Sequence, residues 1–402
     1  MSPVPRYRPH AGPTVLSAGF RPFFLLAALW SCVVVPMSIA FVLGLAEPPA
    51  AFPPTAWHAH EMAFGYGGAV VAGFLLTAIP NWTGRLPLQG APLGALVALW
   101  FCGRLAILFS GAIGLKASAI IDLAFPAAFL TVVAREIFTG RNWRNLPMIG
   151  ALASLLVGNA LTHGDALGFA SPGDVGNRLG VATLLMLVSL IGGRIVPSFT
   201  HNWLVKQDPN SPTPAQFDSV DRTALVATAV ALLTWAFAPE SPLTPWLELA
   251  ASGALAARLA RWRGEKTFAE PLLWILHLGY AWLSVGLLLL GLNGLAPLLP
   301  PTAALHALTV GAIGTMTLAV MTRASLGHTG RALIAGKRTT AIYAMITIAA
   351  LLRLLAPVLG PHYSLALSLS AVAWCGAFGG FALFYFKALT HPRVGPEGAP
   401  PI

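Results

Sequence analysis

The sequence predicts an all-α polytopic membrane protein with about twelve transmembrane helices. Hydrophobic residues make up 56% of the 402 residues and charged residues only 9%, whereas a soluble domain carries ~25% charge. Apolar runs of about 20 residues recur along the chain, which is enough to cross a ~30 Å hydrocarbon core. A transmembrane barrel would show ~10-residue alternating strands instead. These observations exclude an ordinary soluble enzyme.

Twelve apolar runs of membrane-spanning length follow one another, and the seventh and eighth are the weakest. They lie at 20–45, 57–80, 91–110, 115–137, 147–164, 178–200, 223–239, 243–260, 271–292, 302–323, 338–358 and 363–388. The connections are short apart from 201–221, which contains several Pro and Asp residues. We therefore predict one transmembrane domain over residues 1–402, with no soluble domain.

The basic residues predict the orientation in the membrane. When each Lys or Arg residue near a helix end is assigned to the nearest loop or tail, twenty of the 24 belong to the N-terminal tail, the loops after even-numbered helices and the C-terminal tail. Lys116 and Arg178 fall in the other loops, while Arg104 and Arg353 lie within helices. Because cytoplasmic loops carry the excess of Lys and Arg, both termini are predicted to be cytoplasmic. The net charge of +10 therefore reflects topology, and no nucleic-acid partner is expected.

Weak internal similarity relates helices that lie eight apart. Arg104-Leu105 recurs as Arg353-Leu354, and Thr83-Gly84-Arg85 recurs as Thr329-Gly330-Arg331. With other matches four helices apart, these suggest three four-helix repeats, at 20–137, 147–260 and 271–388. Chance recurrence in a sequence rich in Ala, Leu and Gly explains so few identities equally well.

Histidines near the outer ends of the second and tenth helices are the strongest candidates for cofactor ligands. His58 and His60 begin the second helix, and His306 lies about one turn inside the tenth. Two imidazoles at matched depth on different helices meet the requirement of a haem with two axial histidines. On α-helical geometry His58 and His60 point ~200° apart and cannot readily serve one small metal together. We therefore predict His60 and His306 as the axial pair.

Small residues that follow His60 would let a haem macrocycle lie against the helix. Gly67 and Gly68 would let the backbone approach it closely, and α-helical geometry places Phe64 and Gly67 on the same face as His60. His58 would then be left for a second metal, with Glu61 as an acceptor for its ring N–H. The alternative is that these histidines lie at the membrane interface and bind only loop backbone.

Two arginines within the helices are predicted to face the haem. Arg104 and Arg353 lie in the outer third of their helices, and a buried guanidinium needs an anion such as a haem propionate. Asp122, at similar depth, is an equally good partner for Arg104.

Two further histidines are candidate metal ligands. His163 ends the fifth helix four residues after Asn159, and His277 lies within the ninth. Either could bind copper through a neutral imidazole, and a helix–helix hydrogen bond explains each of them equally well.

Several of these segments resemble the NnrS family of membrane proteins. The most characteristic is 58–66 (HAHEMAFGY); also similar are 21–24 (RPFF), 193–197 (GRIVP), 276–280 (LHLGY), 306–314 (HALTVGAIG) and 327–331 (GHTGR). The resemblance covers nearly the whole chain. It implies a multi-pass protein of the bacterial inner membrane that contains haem and copper and takes part in the response to nitric oxide.

The resemblance leaves the activity open between binding, sensing and turnover of nitric oxide, and it names no electron donor. Three groups of four helices with histidines on the second and tenth are also like the catalytic subunit of haem-copper oxidases. The sixth and seventh helices lack the ligands of that subunit's second metal site. The competing hypothesis is a twelve-helix secondary transporter without metal. Few interior carboxylates apart from Asp122 are available for proton coupling in such a transporter.

Overall fold

The computed structural model describes residues 11–169 and 174–394, which form helices and loops without a strand. The α-helices are α1 (Phe20–Val42), α2 (Pro54–His60), α3 (Gly67–Thr83), α4 (Ala91–Leu108), α5 (Ser110–Ile113), α6 (Leu115–Thr139), α7 (Leu146–Ala166), α8 (Val175–Gln207), α9 (Ser219–Phe237), α10 (Thr244–Ala260), α11 (Pro271–Leu295), α12 (Pro301–His306), α13 (Thr315–His328), α14 (Lys337–Leu355) and α15 (Tyr363–Thr390).

The prediction of an all-α polytopic membrane protein is confirmed. Within the described ranges, eleven helical segments are long and apolar enough to cross a membrane. They match eleven of the twelve predicted spans. The predicted eighth span corresponds to α10, which has 17 residues and buries Glu248 and Arg258.

The connection predicted at 201–221 is shorter in the structure. Helix α8 has 33 residues and continues to Gln207, so it is about 50 Å long at 1.5 Å per residue. That exceeds the ~30 Å hydrocarbon core, so the helix is longer than one crossing requires. Helix α9 begins at Ser219 behind an N-cap, since the Asp218 side chain accepts a hydrogen bond from the Val220 N–H at 2.9 Å. This N-cap, rather than hydropathy, determines where the loop ends.

The second and tenth predicted spans share an unusual local structure. Each starts with a short α-helix that ends at a histidine, His60 or His306, and continues through a π-helical segment into a longer α-helix. The two π-helical segments are Glu61–Tyr66 and Ala307–Gly314. A π-helix bonds i to i+5, is rare in proteins and often occurs at functional sites. Both predicted axial histidines therefore directly precede a widened turn.

The chain divides into two compact units. Unit 1 comprises residues 11–169, 174–180, 324–330 and 382–394, and unit 2 comprises residues 181–323 and 331–381. Within unit 1, α1 packs on α3, α4 on α6 and α6 on α7. Within unit 2, α10 packs on α9 and α11, while α11 and α14 pack on the second π-helical segment. The single domain and the three repeats stay predictions.

Candidate metal centre

A cluster of six polar side chains lies buried in unit 1, and we call it the polar cluster. Each member exposes 2% of its surface or less. Ionisable groups inside a membrane helix are costly and are usually kept for function, so this cluster is the strongest candidate for a site. Its members come from α2, the first π-helical segment, α4, α6 and α7: His60, Glu61, Arg104, Asp122, Asn159 and His163.

Asp122 is the centre of the polar cluster. One carboxylate oxygen, Oδ1, accepts from Arg104 Nη2. The other, Oδ2, accepts from Asn159 Nδ2 at 2.8 Å and lies 3.0 Å from His163 Nε2 and 3.2 Å from His60 Nε2. Four side chains from three other segments of unit 1 thus converge on one carboxylate of α6.

Glu61 is the second carboxylate of the polar cluster. Its Oε1 accepts from Arg104 Nη1 at 2.6 Å and from His60 Nδ1 at 3.1 Å, and its Oε2 accepts from Trp30 Nε1 at 2.7 Å. Arg104 therefore lies between two carboxylates. A Cβ at Gly65 would lie 2.6 Å from Arg104 Nη1, so any larger residue at this position would displace the guanidinium.

The charges of the polar cluster favour a bound cation. Two carboxylates and one guanidinium leave one net negative charge when both imidazoles are neutral. An uncompensated buried charge is expensive. A proton on His60, whose two ring nitrogens face Glu61 and Asp122, or a metal ion in its place would supply the missing positive charge.

Three members of the cluster can act as a ligand set for a metal ion. His60, Asp122 and His163 each offer one ligand atom, and these atoms lie within 4.8 Å of one another. Two imidazoles and a carboxylate suit a divalent first-row transition metal, and Cu²⁺ binds such sets most tightly. The Glu61 contact to His60 Nδ1 leaves Nε2 to face the ion, which is how outer partners orient a metal-bound histidine. The donor set therefore fits copper.

The surroundings of His60 fit a small ion better than a macrocycle. The rings of Phe52, Phe64 and His163 lie 5.8, 5.3 and 5.3 Å from the His60 ring. The adjoining cavity has a volume of ≈ 20 Å³, which is about enough for one water molecule. Gly68 lines this cavity, and the neighbouring Gly67 is buried. This cavity reaches Asp122 and Asn159 but not His60, so among the described residues the His60 ring faces packed aromatic rings and polar side chains.

The structure brings only some of the predicted site residues together. His58 Nδ1 lies 2.9 Å from Ser38 Oγ on α1, and Glu61 contacts His60 rather than His58. In unit 2, His277 Nε2 lies 2.9 Å from Thr200 Oγ1 on α8, which is the helix–helix hydrogen bond that the sequence allowed. The role of His277 as a metal ligand stays a prediction.

His306 and Arg353 belong to unit 2, whereas His60 and Arg104 belong to unit 1. His306 Nδ1 lies 2.5 Å from the Thr302 carbonyl oxygen, one turn back along α12. Arg353 Nη1 is buried and has no hydrogen-bond partner in the described part of the chain. Helix α14, which carries Arg353, packs against α12 and the second π-helical segment. Unit 2 thus offers an imidazole and a guanidinium from adjacent elements.

Sequence reasoning did not assign Asn159 or Trp30 to the site. Asn159 was paired with His163 by its i, i+4 spacing, which places both on one face of α7, but its bonds to Asp122 and His60 depend on tertiary packing. Its Oδ1 lies 2.9 Å from His60 Nε2. No sequence pattern indicated the hydrogen bond from Trp30 on α1 to Glu61.

Comparison with known families decides the wider assignment. A family model described as NnrS protein matches residues 14–393, which covers nearly the whole chain. The chain belongs to the NnrS family. The matched range includes every member of the polar cluster as well as His306 and Arg353, so the resemblance inferred from short motifs is confirmed for the full helical region. No curated protein is a significant match to this chain.

Proposed function

We propose that this chain is a haem- and copper-containing protein of the bacterial inner membrane that binds or removes nitric oxide and so limits nitrosative stress. Membership of the NnrS family supports a role in the nitric oxide response in general. The observation that carries the metal assignment is the buried convergence of His60, Asp122 and His163.

In this proposal the copper ion belongs to the polar cluster. Bound copper would supply one-electron chemistry and a position for a diatomic ligand. His60, His163 and Asp122 would hold the ion, and Glu61 would keep the His60 ring oriented through its contact with Nδ1. Arg104 neutralises one of the two carboxylates, so the cluster would offer the ion one net negative charge. Trp30 fixes the second oxygen of Glu61 and keeps that carboxylate from turning away.

The haem is proposed from the family resemblance, and the residues of unit 2 fit it better than those of unit 1. The buried Nη1 of Arg353 lacks a partner among the described residues, and a propionate would satisfy it in a charge-assisted hydrogen bond. Arg104 already donates to two carboxylates. We therefore propose His306 and Arg353 as haem contacts. The pairing of His60 with His306 across one haem stays a prediction that competes with copper for His60.

Optical and electron paramagnetic resonance spectra of the purified protein, with and without nitric oxide, test this function. We expect a Soret band and a Cu²⁺ signal, and at least one of them should change when nitric oxide is added. His306→Ala should remove the haem signal, whereas His362→Ala, an exposed loop variant, should retain it. A colourless preparation without iron or copper, from cells supplied with haem, would overturn the proposal in favour of a transporter.

A further inference from the structure

A groove of ≈ 470 Å³ opens in unit 1 where α3 ends beside α6, away from the polar cluster. Its walls are apolar: Leu76, Ile79 and Pro80 come from α3, and Val132 and Val133 come from α6. The loop that follows α3 closes one side of it. No residue of the polar cluster lines the groove, so it is a separate feature of the molecule.

The mouth of the groove carries an excess of positive charge. Arg85 and Arg135 both bind the single carboxylate of Glu136: Arg85 through Nε to Oε2, and Arg135 through Nη2 to Oε1 at 2.8 Å. Both guanidinium side chains remain partly exposed, at 39% and 62%. Two cations around one anion leave one positive charge for an incoming group.

The backbone at the end of α3 positions this charge. Gly84 adopts a left-handed conformation with φ of 70°, and its N–H donates to the Pro80 carbonyl at 3.0 Å. This helix-ending turn is typical of glycine, and it directs Arg85 back towards α6. Trp82, which packs on Phe74 with ring centroids 6.3 Å apart, is of the residue type enriched at membrane interfaces. The arginines thus lie at the level expected for lipid headgroups.

We propose that this groove binds an anionic phospholipid of the cytoplasmic leaflet. The headgroup phosphate would bind Arg85 and Arg135, because planar guanidinium groups match phosphate oxygens in pairs. The upper part of one acyl chain would lie along the apolar wall from Leu76 to Pro80. The loop after the second span lies on the cytoplasmic side in the predicted topology, where anionic lipids attract basic residues near membrane helices.

Native mass spectrometry of the full chain in detergent, titrated with defined lipids, tests this site. Phosphatidylglycerol should remain bound in preference to phosphatidylcholine, whose own cation competes with the arginines. Arg85→Gln and Arg135→Gln should each weaken phosphatidylglycerol binding about fivefold. Arg144→Gln, an exposed arginine of the same unit outside the groove, is the matched control and should bind like the wild type.

Two further variants distinguish a lipid site from nonspecific attraction between charges, because only a lipid site depends on both the charge and the apolar wall. Glu136→Gln removes the competing carboxylate and should strengthen phosphatidylglycerol binding. Val132→Trp fills the apolar wall and should weaken binding although no charge changes. Equal retention of the two lipids, or weaker binding in Glu136→Gln, would overturn the proposal. A simple anion site would give a different pair of results: micromolar inorganic phosphate would displace the lipid, and Val132→Trp would bind the lipid as the wild type does. Both results together would overturn the lipid proposal.

Discussion

Replacing Arg104 by alanine separates the two roles that its position allows. The structure places this guanidinium between Glu61 and Asp122 with Nη1 and Nη2 both engaged. Its removal leaves two buried carboxylates without their shared cation. Removing one partner of a buried ion pair typically costs about 3–5 kcal/mol. We therefore expect Arg104→Ala to lower the free energy of unfolding by about this amount.

The loss can be measured by unfolding the protein in mixed micelles with increasing sodium dodecyl sulfate, followed by tryptophan fluorescence. Arg353→Ala is the matched comparison, because Arg353 Nη1 has no partner within the described residues. Replacing an unsatisfied polar group costs little, here less than about 1 kcal/mol. The haem content per folded chain should instead fall in Arg353→Ala. If Arg104→Ala keeps the stability of the wild type but loses haem, the structural ion-pair role of Arg104 is refuted and a contact with a haem propionate is supported.

Two further predictions concern local geometry and pH. Gly65→Ala should destabilise the protein by about 1–3 kcal/mol, since the new Cβ would lie 2.6 Å from Arg104 Nη1; Gly150→Ala, where no atom lies within 4 Å, is the control in the same unfolding assay. The hydrogen bonds from Arg261 hold the pKa of Asp218 at about 2, below the ~3.9 of an unfolded chain. The stabilisation from Asp218 should therefore be complete above pH ~4 and disappear as the pH falls towards 2. Helical circular dichroism over this range should show a shallower acid transition in Asp218→Asn, and an identical transition would contradict the coupling.

Much of the fold could be predicted from sequence because membrane insertion depends on local composition. Length and hydropathy located eleven spans that the structure confirms. The eighth apolar run was the one predicted span that is not among these eleven, since it forms a 17-residue helix with buried Glu248 and Arg258. Arg258 there donates to Asp221 on α9 at 2.7 Å, a tertiary contact that hydropathy does not reveal.

The site could be predicted residue by residue but not as an arrangement. His60 and His163 were predicted as metal ligands and Asp122 as a partner of Arg104, yet their convergence depends on how α2, α6 and α7 pack. The relative directions of residues after His60 were predicted from 3.6 residues per turn. The π-helical segment at Glu61–Tyr66 has a wider turn, which this geometry did not include. Phe64 nevertheless lies beside His60, with ring centroids 5.3 Å apart.

The copper content of purified protein, measured by inductively coupled plasma mass spectrometry, tests directly whether the polar cluster binds copper. His163→Ala and Asp122→Asn each remove one of the three proposed ligands, and His362→Ala removes an exposed histidine outside the polar cluster. We expect copper in the wild type and in His362→Ala, and its loss from folded His163→Ala and Asp122→Asn. Wild-type copper content in both ligand variants would contradict a metal site at His60, Asp122 and His163.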